Sequence, residues 1–222
     1  MKRFVRDHLR YTDEIQCAAA KVLSAVRTIA RQKSSSSKKG DGHDGSFDTM
    51  HIRRGDFGTF YEQTKLSAEE LYAENVAPVI KENRTVFIAT DERDFSWFDP
   101  LKEHYNLLFL KDFEYLFPDL NPNYYGMLDQ LIASMGDVFL GTYYSTFTGY
   151  INRMRGYHSQ NKKAYGHQVG MIDSYYIKLK KLKLGYNDNE SSLMRTYSAV
   201  EPPFWSREFP VCWRDIDHDV VI

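Results

Sequence analysis

The 222-residue sequence has only two cysteines, Cys17 and Cys212, and neither belongs to a Cys/His spacing typical of a metal site. The two could pair, but buried cysteines more often behave as small hydrophobic residues. No apolar run approaches the roughly 20 residues that a membrane-spanning helix needs. The first residues, Met1 to His8, contain no apolar signal core, so we expect no membrane segment and no visible targeting signal in this sequence.

A surplus of one charge is also missing, because 29 Lys and Arg against 30 Asp and Glu give a net charge of −1. This balance argues against a general nucleic-acid-binding protein, which usually carries a basic surplus. The glycine-rich loops of P-loop kinases and dinucleotide dehydrogenases are absent, as is the Gly-x-Ser-x-Gly turn of serine hydrolases. These classes are therefore excluded, while a hydrophobic content of 42% is enough for a sizeable core.

What the sequence does contain is an alternation of apolar strands and amphipathic helices. Residues 1–31 form a leading unit, with a helix predicted from helical spacing, and the Ser-, Lys- and Gly-rich residues 32–46 predict a flexible insertion. Repeated β-α-β units over 47–180 predict a Rossmann-like parallel sheet with helices on both faces, and 181–222 predict an irregular tail packed on it. Strands are predicted at 47–53, 85–90, 106–110, 138–140 and 175–177, and helices at 11–31, 67–82, 95–104, 124–135 and 145–155.

Two adjacent arginines end the first strand of this sheet, in the stretch His51-Ile52-Arg53-Arg54-Gly55-Asp56-Phe57. Ligands of open α/β sheets bind beyond the carboxyl ends of the strands. Guanidinium groups bind phosphate through two parallel hydrogen bonds. The stretch therefore predicts a phosphate site suited to a nucleoside diphosphate, in which Asp56 would orient Arg53 or Arg54 through an ion pair.

A second anion site is predicted after the strand that ends at Leu140. The loop leads into a helix near Ser145, and the N–H groups and partial positive charge of a helix start favour an anion. Ser145 and Thr146 add hydroxyl groups there, and Phe147 lies in the first turn, either in the core or against a nucleotide. Ser145 could instead only cap the helix. Two such features at the carboxyl ends of strands of one sheet favour the anion site.

The acidic candidates allow two interpretations each. Asp129 lies beside the apolar face of its helix, where its carboxylate could accept both donors of a guanine edge, or it is a surface residue favoured by the dipole of the first turn. The stretch Asp91-Glu92-Arg93-Asp94 suggests a divalent metal, but Arg93 neutralises it and Asp94 is a suitable helix cap. We therefore expect no metal site.

Taken in order, the segments 51–57, 87–91, 128–130, 139–141 and 145–147 resemble the carboxyl-terminal half of the GDP-fucose protein O-fucosyltransferases. The His-x-Arg-Arg-x-Asp element is shared with α1,2- and α1,6-fucosyltransferases, and the resemblance spans roughly 47–156. It implies the donor-binding half of a GT-B fold and inverting transfer of fucose from GDP-fucose to Ser or Thr. No metal or other cofactor is implied, and the family resemblance implies the endoplasmic reticulum or Golgi lumen.

The resemblance also implies residue roles. Arg53 would be the catalytic residue, holding the β-phosphate as it departs, while Asp129 would bind the guanine edge. The implied donor-binding set is His51, Arg53, Arg54, Asp56, Asp129, Ser145, Thr146 and Phe147.

The amino-terminal half of that family, with its glycine-rich loop and much of the acceptor cleft, has no counterpart in the sequence. The chain would then be a fragment, a truncated product or a degenerate relative. Three functions stay open: a protein O-fucosyltransferase, an α1,2- or α1,6-type glycan fucosyltransferase, and a non-catalytic GDP- or nucleotide-sugar-binding remnant. The expected partners are GDP-fucose and a protein or glycan acceptor, and no nucleic acid.

Overall fold

A five-stranded parallel sheet forms the centre of the molecule. The computed structural model describes residues 10–36, 45–162 and 173–178. The strand order is β3-β2-β1-β4-β5, and every neighbouring pair runs parallel. This confirms the predicted Rossmann-like α/β class. The strands are β1 (Asp48–Ile52), β2 (Thr85–Thr90), β3 (Asn106–Phe109), β4 (Val138–Gly141) and β5 (Asp173–Tyr176).

The central strands β1 and β2 are buried on both faces, and the mostly apolar sequence of β2 predicts this burial. In β2, Val86 and Ile88 belong to one hydrophobic cluster, while Phe87 and Ala89 belong to the other. Successive side chains of a strand point to opposite faces, so successive apolar residues of β2 enter different clusters. The sheet therefore separates two hydrophobic layers.

Helices cover both faces of the sheet. Packing on the Phe87 side are α1 (Asp13–Ser36), α5 (Tyr125–Ala133) and the start of α6 (Thr146–Lys162). The other side is covered by α3 (Ala68–Leu71) and α4 (Asp99–Lys102). A short helix, α2 (Phe57–Phe60), follows β1, and 3₁₀ turns lie at Glu62–Thr64, Phe95–Phe98, Leu110–Leu116 and Pro122–Tyr124.

Two helices predicted as continuous are interrupted, and a proline lies in each. The predicted helix 67–82 is α3 followed by a π-helical turn, Tyr72–Val76, in which the N–H of Ala77 donates to the carbonyl of Tyr72. Pro78 comes next, and it has no N–H with which to continue the helical hydrogen bonds. The predicted helix 95–104 begins as a 3₁₀ turn and becomes α4 around Pro100.

The leading helix is longer than predicted. It continues to Ser36, five residues into the stretch 32–46 that we expected to be flexible, and the Ser34 hydroxyl donates back to the carbonyl of Ala30. Residues 37–44 lie outside the described residues, as does the predicted tail 181–222. Within the described ranges, no helix is both long and apolar enough to cross a membrane.

The order of the strands in the sheet creates a crevice between β1 and β4. From β1 the chain moves outward to β2 and β3, then returns past β1 to add β4 and β5 on the opposite side. The strand order thus reverses between β1 and β4, and ligands of such sheets bind outside the carboxyl ends of the strands at this switch point. The two anion-binding segments predicted from the sequence directly follow these two strands.

Candidate functional site

Thr142 joins the carboxyl ends of β1 and β4. Its hydroxyl donates to the carbonyl oxygen of His51 at 3.0 Å and accepts the backbone N–H of Arg53 at 2.9 Å. Its own N–H also donates to the His51 carbonyl at 3.0 Å. The side chain is buried, so these bonds are shielded from water. The sequence analysis did not single out Thr142, although its place directly after a strand was a usable signal.

The Arg53 guanidinium is held in a fixed orientation at the mouth of the crevice. One terminal nitrogen donates to Asp56 and the other pairs with Asp91, each at 2.9 Å. The side chain is 37% exposed, and guanidinium has five N–H donors, so three remain for a ligand. Asp56 thus orients Arg53, as the spacing suggested.

Asp91 supports both arginines and leaves no room for a side chain at position 55. Its second oxygen accepts the backbone N–H of Arg54 at 2.7 Å. A Cβ atom on Gly55 would lie 2.3 Å from the Asp91 carboxylate, which is far inside contact distance. Only glycine fits this approach, which explains the glycine after the two arginines.

The Arg54 side chain makes its contacts with other residues of the protein. Its Nε donates to Glu92 at 2.7 Å, its Nη1 to the carbonyl of Leu66 at 3.3 Å, and its guanidinium carbon lies 3.9 Å from the centre of the Trp97 ring. The pKa of Glu92 is lowered, first by the backbone N–H of Asp94 and then by Arg54. These contacts indicate that Arg54 anchors the loop after β1; its donor-binding role stays a prediction.

His51 and Phe147 form a stacked pair between β1 and α6. Their ring centres are 4.5 Å apart with planes 26° from parallel, and His51 Nδ1 lies 2.7 Å from the Thr148 hydroxyl. Burial, and then the charge of Arg53, lowers the pKa of His51 to about 3, so the imidazole is neutral at physiological pH. Phe147 is half-buried and also faces α5, where a Cβ on Gly126 would be 3.6 Å from its ring.

The start of α6 follows Thr142 within four residues. The Ser145 N–H lies 3.4 Å from the carbonyl of Thr142, and its own carbonyl accepts the N–H of Gly149 at 3.1 Å. Among the described residues the Ser145 hydroxyl has no hydrogen-bond partner, which weighs against a capping role alone. Thr146 is exposed in the first turn. The helix start and Arg53 are therefore joined to one buried threonine.

Tyr144, in the loop between β4 and α6, has a left-handed backbone with φ of 63°. This conformation costs an ordinary L-residue roughly 1–2 kcal/mol. The ring stacks on Tyr61 at 5.0 Å and meets Tyr143 at 4.6 Å, yet the residue stays 48% exposed. Strained residues of this kind concentrate at functional sites, which directs attention to this loop.

Asp129 lies in the second turn of α5, not in the first turn as its surface interpretation required. Its Oδ1 atom is buried and has no hydrogen-bond partner among the described residues. Burial raises its pKa well above the usual value. Gly126, three residues earlier and so on the same side of α5, faces the ring of Phe147. The unpaired oxygen of Asp129 thus lies on the side of α5 that faces Phe147.

An open cleft of about 690 Å³ adjoins the same edge of the sheet. Arg53 and Glu92 line it at the strand ends, and Gly58, Lys65 and Glu70 line it from the segment that follows β1. Its volume falls within the range of small-molecule and cofactor sites. Arg53 therefore borders both this cleft and the switch-point crevice.

A parallel sheet with helices on both faces defines the class of Rossmann-like α/β proteins, whose ligands bind at the switch point where Arg53 and the start of α6 lie. The family model described as GDP-fucose protein O-fucosyltransferase matches residues 1–158, and the chain belongs to this family. The match confirms the resemblance and extends it over α1. It supports a GDP-fucose-dependent fucosyltransferase in general terms. A search among curated proteins finds no match.

Proposed function

We propose that the chain binds GDP-fucose at the switch-point crevice and transfers fucose, with inversion, to a Ser or Thr hydroxyl of a protein. One observation carries this proposal: Thr142 holds the backbone of Arg53 and the start of α6 beside each other. A guanidinium and a helix start placed at one crevice can share the oxygens of one diphosphate.

The chemistry assigned to Arg53 is stabilisation of the leaving group. As the bond between fucose and phosphate stretches towards an oxocarbenium-like state, negative charge builds on the β-phosphate. Donors that are already oriented stabilise this charge more in the transition state than in the ground state. Asp56 and Asp91 supply that orientation, because they hold two nitrogens of the guanidinium in place.

The guanine base is assigned to Asp129 and the His51–Phe147 pair. A guanine edge offers N1–H and N2–H₂ donors, which match the carboxylate of Asp129, whose Oδ1 atom is buried and unpaired among the described residues. Phe147 presents an aromatic ring on the same side of α5. Ser145 and Thr146 are assigned to the diphosphate at the start of α6, between base and sugar.

Transfer without a bound metal is part of the proposal. Arg53 would supply the positive charge that a divalent ion gives other nucleotide-sugar enzymes. The nearby acidic residues are already engaged: Asp91 with Arg53, Glu92 with Arg54, and Asp94 with the N–H of Ser96. The test is transfer in the presence of EDTA, where the rate should not change, and stimulation by added Mg²⁺ or Mn²⁺ would contradict it.

The acceptor is assigned to the open cleft beside Arg53, and the compartment to the endoplasmic reticulum or Golgi lumen, where the family generally works. The alternatives are a glycan acceptor and a GDP-binding remnant that transfers nothing. A screen of Ser/Thr peptides, folded domains and oligosaccharides with labelled GDP-fucose distinguishes the three. Transfer only to oligosaccharides favours the glycan enzyme, and GDP binding without turnover favours the remnant.

The proposal is tested most directly by Arg53→Ala. Loss of one preorganised donor of this type costs on the order of 10²–10³ in rate, so we expect transfer to fall by at least that factor while the fold persists. Arg53→Lys keeps the charge but loses the two-pronged geometry and should recover little activity. Arg93→Ala is the matched control, since Arg93 is an exposed arginine of the neighbouring loop. A folded, fully active Arg53→Ala protein would refute the assignment.

A further inference from the structure

The turn before β2 carries the sequence Asn83-Arg84-Thr85, which matches the Asn-x-Ser/Thr pattern for attachment of an N-linked glycan. Asn83 is exposed and has a left-handed backbone with φ of 64°. Asparagine tolerates this conformation better than most residues, so it introduces little backbone strain at this position. The acceptor asparagine thus lies on a surface turn, and the pattern ends at Thr85, the first residue of β2.

Backbone hydrogen bonds fix this turn against the start of β3. The N–H of Asn83 donates to the carbonyl of His104 at 2.8 Å, and the N–H of Asn106 donates to the carbonyl of Arg84 at 3.0 Å. The Arg84 side chain is committed to Asp48 through two hydrogen bonds of 2.7 and 3.0 Å. The Asn83 amide, in contrast, makes no hydrogen bond with the described residues, so a sugar attached to it would break no contact.

We propose that Asn83 is a site of N-linked glycosylation. The inference rests on the lumenal location put forward above, because the modifying enzyme acts in that compartment. The amide nitrogen of Asn83 would form a bond to the anomeric carbon of a lipid-linked oligosaccharide. The bond from that carbon to the lipid diphosphate breaks, the lipid diphosphate leaves and one amide proton is released.

The fold also sets when this modification happens. Thr85, whose hydroxyl is part of the recognised pattern, is only 3% exposed, and its Oγ1 accepts a hydrogen bond from the Asn106 side chain at 3.2 Å. In the folded protein this hydroxyl is therefore out of reach of a modifying enzyme. The glycan is added before β2 joins β3, while the chain is still entering the lumen.

The position of Asn83 keeps a glycan away from the candidate donor site. Asn83 precedes the amino end of β2, whereas Arg53, Asp91 and Thr142 follow the carboxyl ends of their strands. In a parallel sheet these ends form opposite edges. A bulky, hydrophilic glycan on Asn83 would cover the turn before β2 and the neighbouring start of β3, and would leave the crevice open.

The test is expression of the full chain in eukaryotic cells behind an appended signal peptide, which supplies the compartment independently. Enzymatic removal of N-glycans should increase gel mobility and convert Asn83 to aspartate, seen by peptide mass spectrometry. Asn83→Gln should lose one glycan, whereas Thr85→Ser, which keeps the pattern, should retain it. Asn189→Gln removes the other matching pattern, Asn189-Glu190-Ser191, and should leave the Asn83 glycan in place.

An unmodified Asn83 in the secreted Asn189→Gln protein overturns the proposal. Modification of the already folded, bacterially expressed chain by microsomes would overturn its timing, since Thr85 is buried in that state. Transfer from GDP-fucose, measured on the same preparations, reports separately on the proposed enzyme. A glycosylated but inactive wild-type chain would contradict the enzyme and keep the glycosylation site.

Discussion

Replacing Asp129 with asparagine should make the free protein more stable and its nucleotide binding weaker. The carboxylate has a buried oxygen with no partner among the described residues, and the cost of about 1–3 kcal/mol for an unsatisfied buried group is larger when the group is charged. The asparagine side chain has nearly the same shape and carries no charge. We therefore expect Asp129→Asn to raise the free energy of unfolding at pH 7 by about 1–3 kcal/mol in urea denaturation.

The stability gain should depend on pH in a defined direction. Burial raises the pKa of Asp129 well above its usual value of 3.8, so the folded state holds this proton more tightly than the unfolded chain does. Stability contributed by the site is therefore present at pH values below 3.8 and is lost as pH rises towards the raised folded pKa. Asp129→Asn removes this dependence, so the two proteins should converge in stability as the solution becomes acidic.

Nucleotide binding should change in the opposite sense, and the contribution of the 2-amino group of the base can be measured separately. Calorimetry with GDP and inosine diphosphate isolates this contact, because inosine lacks the 2-amino group. A hydrogen bond to a charged acceptor contributes about 1.5–3 kcal/mol, so the wild type should prefer GDP by roughly tenfold or more. In Asp129→Asn this preference should largely disappear, and inosine diphosphate should also bind more weakly, because its N1–H loses the charged acceptor.

The matched control is Asp119→Asn, which removes an exposed carboxylate and should alter stability by no more than about 0.5 kcal/mol. An Asp129→Asn protein that is less stable than wild type at pH 7, with an unchanged preference for GDP, would refute the reasoning. It would mean that the carboxylate has a partner in the folded chain and does not contact the base.

Three further results are expected. His51→Gln should remove a loss of stability that the wild type shows in acid. Because burial lowers the pKa of His51 to about 3, the wild type loses about 1.4 kcal/mol of unfolding free energy per pH unit as pH falls below 6.5. Denaturation at pH 5 and 7 measures this loss, and the same change of stability with pH in both proteins would contradict it. Tyr144→Gly should be more stable than Tyr144→Ala by about 0.5–1 kcal/mol, since both lose the ring but only alanine keeps the strain of a positive φ; equal melting temperatures would argue against that backbone. Arg155→Met should destabilise by about 3 kcal/mol or more, because the buried guanidinium donates to Ser174, Gly136 and Asp137; a near-neutral change in urea midpoint would count against this network.

The strands were predictable because their signal is local. β2 is found at 85–90 as predicted, since a run of six mostly apolar residues bounded by polar ones allows little else. The helices were less predictable because Pro78 and Pro100 interrupt an apolar period without removing it. The spacing of apolar residues indicates which side of a segment is buried. It does not show whether the backbone continues as a helix through a proline.

Site residues could be predicted where residue type and position after a strand indicate the role. They could not be predicted where the role depends on partners distant in sequence. Arg53 and the start of α6 follow strand ends, which the sequence shows. Thr142 acts on Arg53 across 89 positions, and its role appears only when β4 pairs with β1. Arg155 is only 3% exposed because it binds carbonyl groups beyond the end of α5, and no local sequence pattern indicates these partners.

Because Thr142 joins two strands, binding of a nucleotide can be used to follow folding of the sheet. Segments around positions 53, 91, 129 and 145 come together only when all of the central strands are paired. A nucleotide that needs these segments would recognise the native state and no partly folded form. At a concentration 100 times its dissociation constant it would raise the unfolding free energy by about 2.7 kcal/mol. A thermal-shift signal with GDP would therefore report the pairing of β1 with β2 and β4, and not local ordering of one loop.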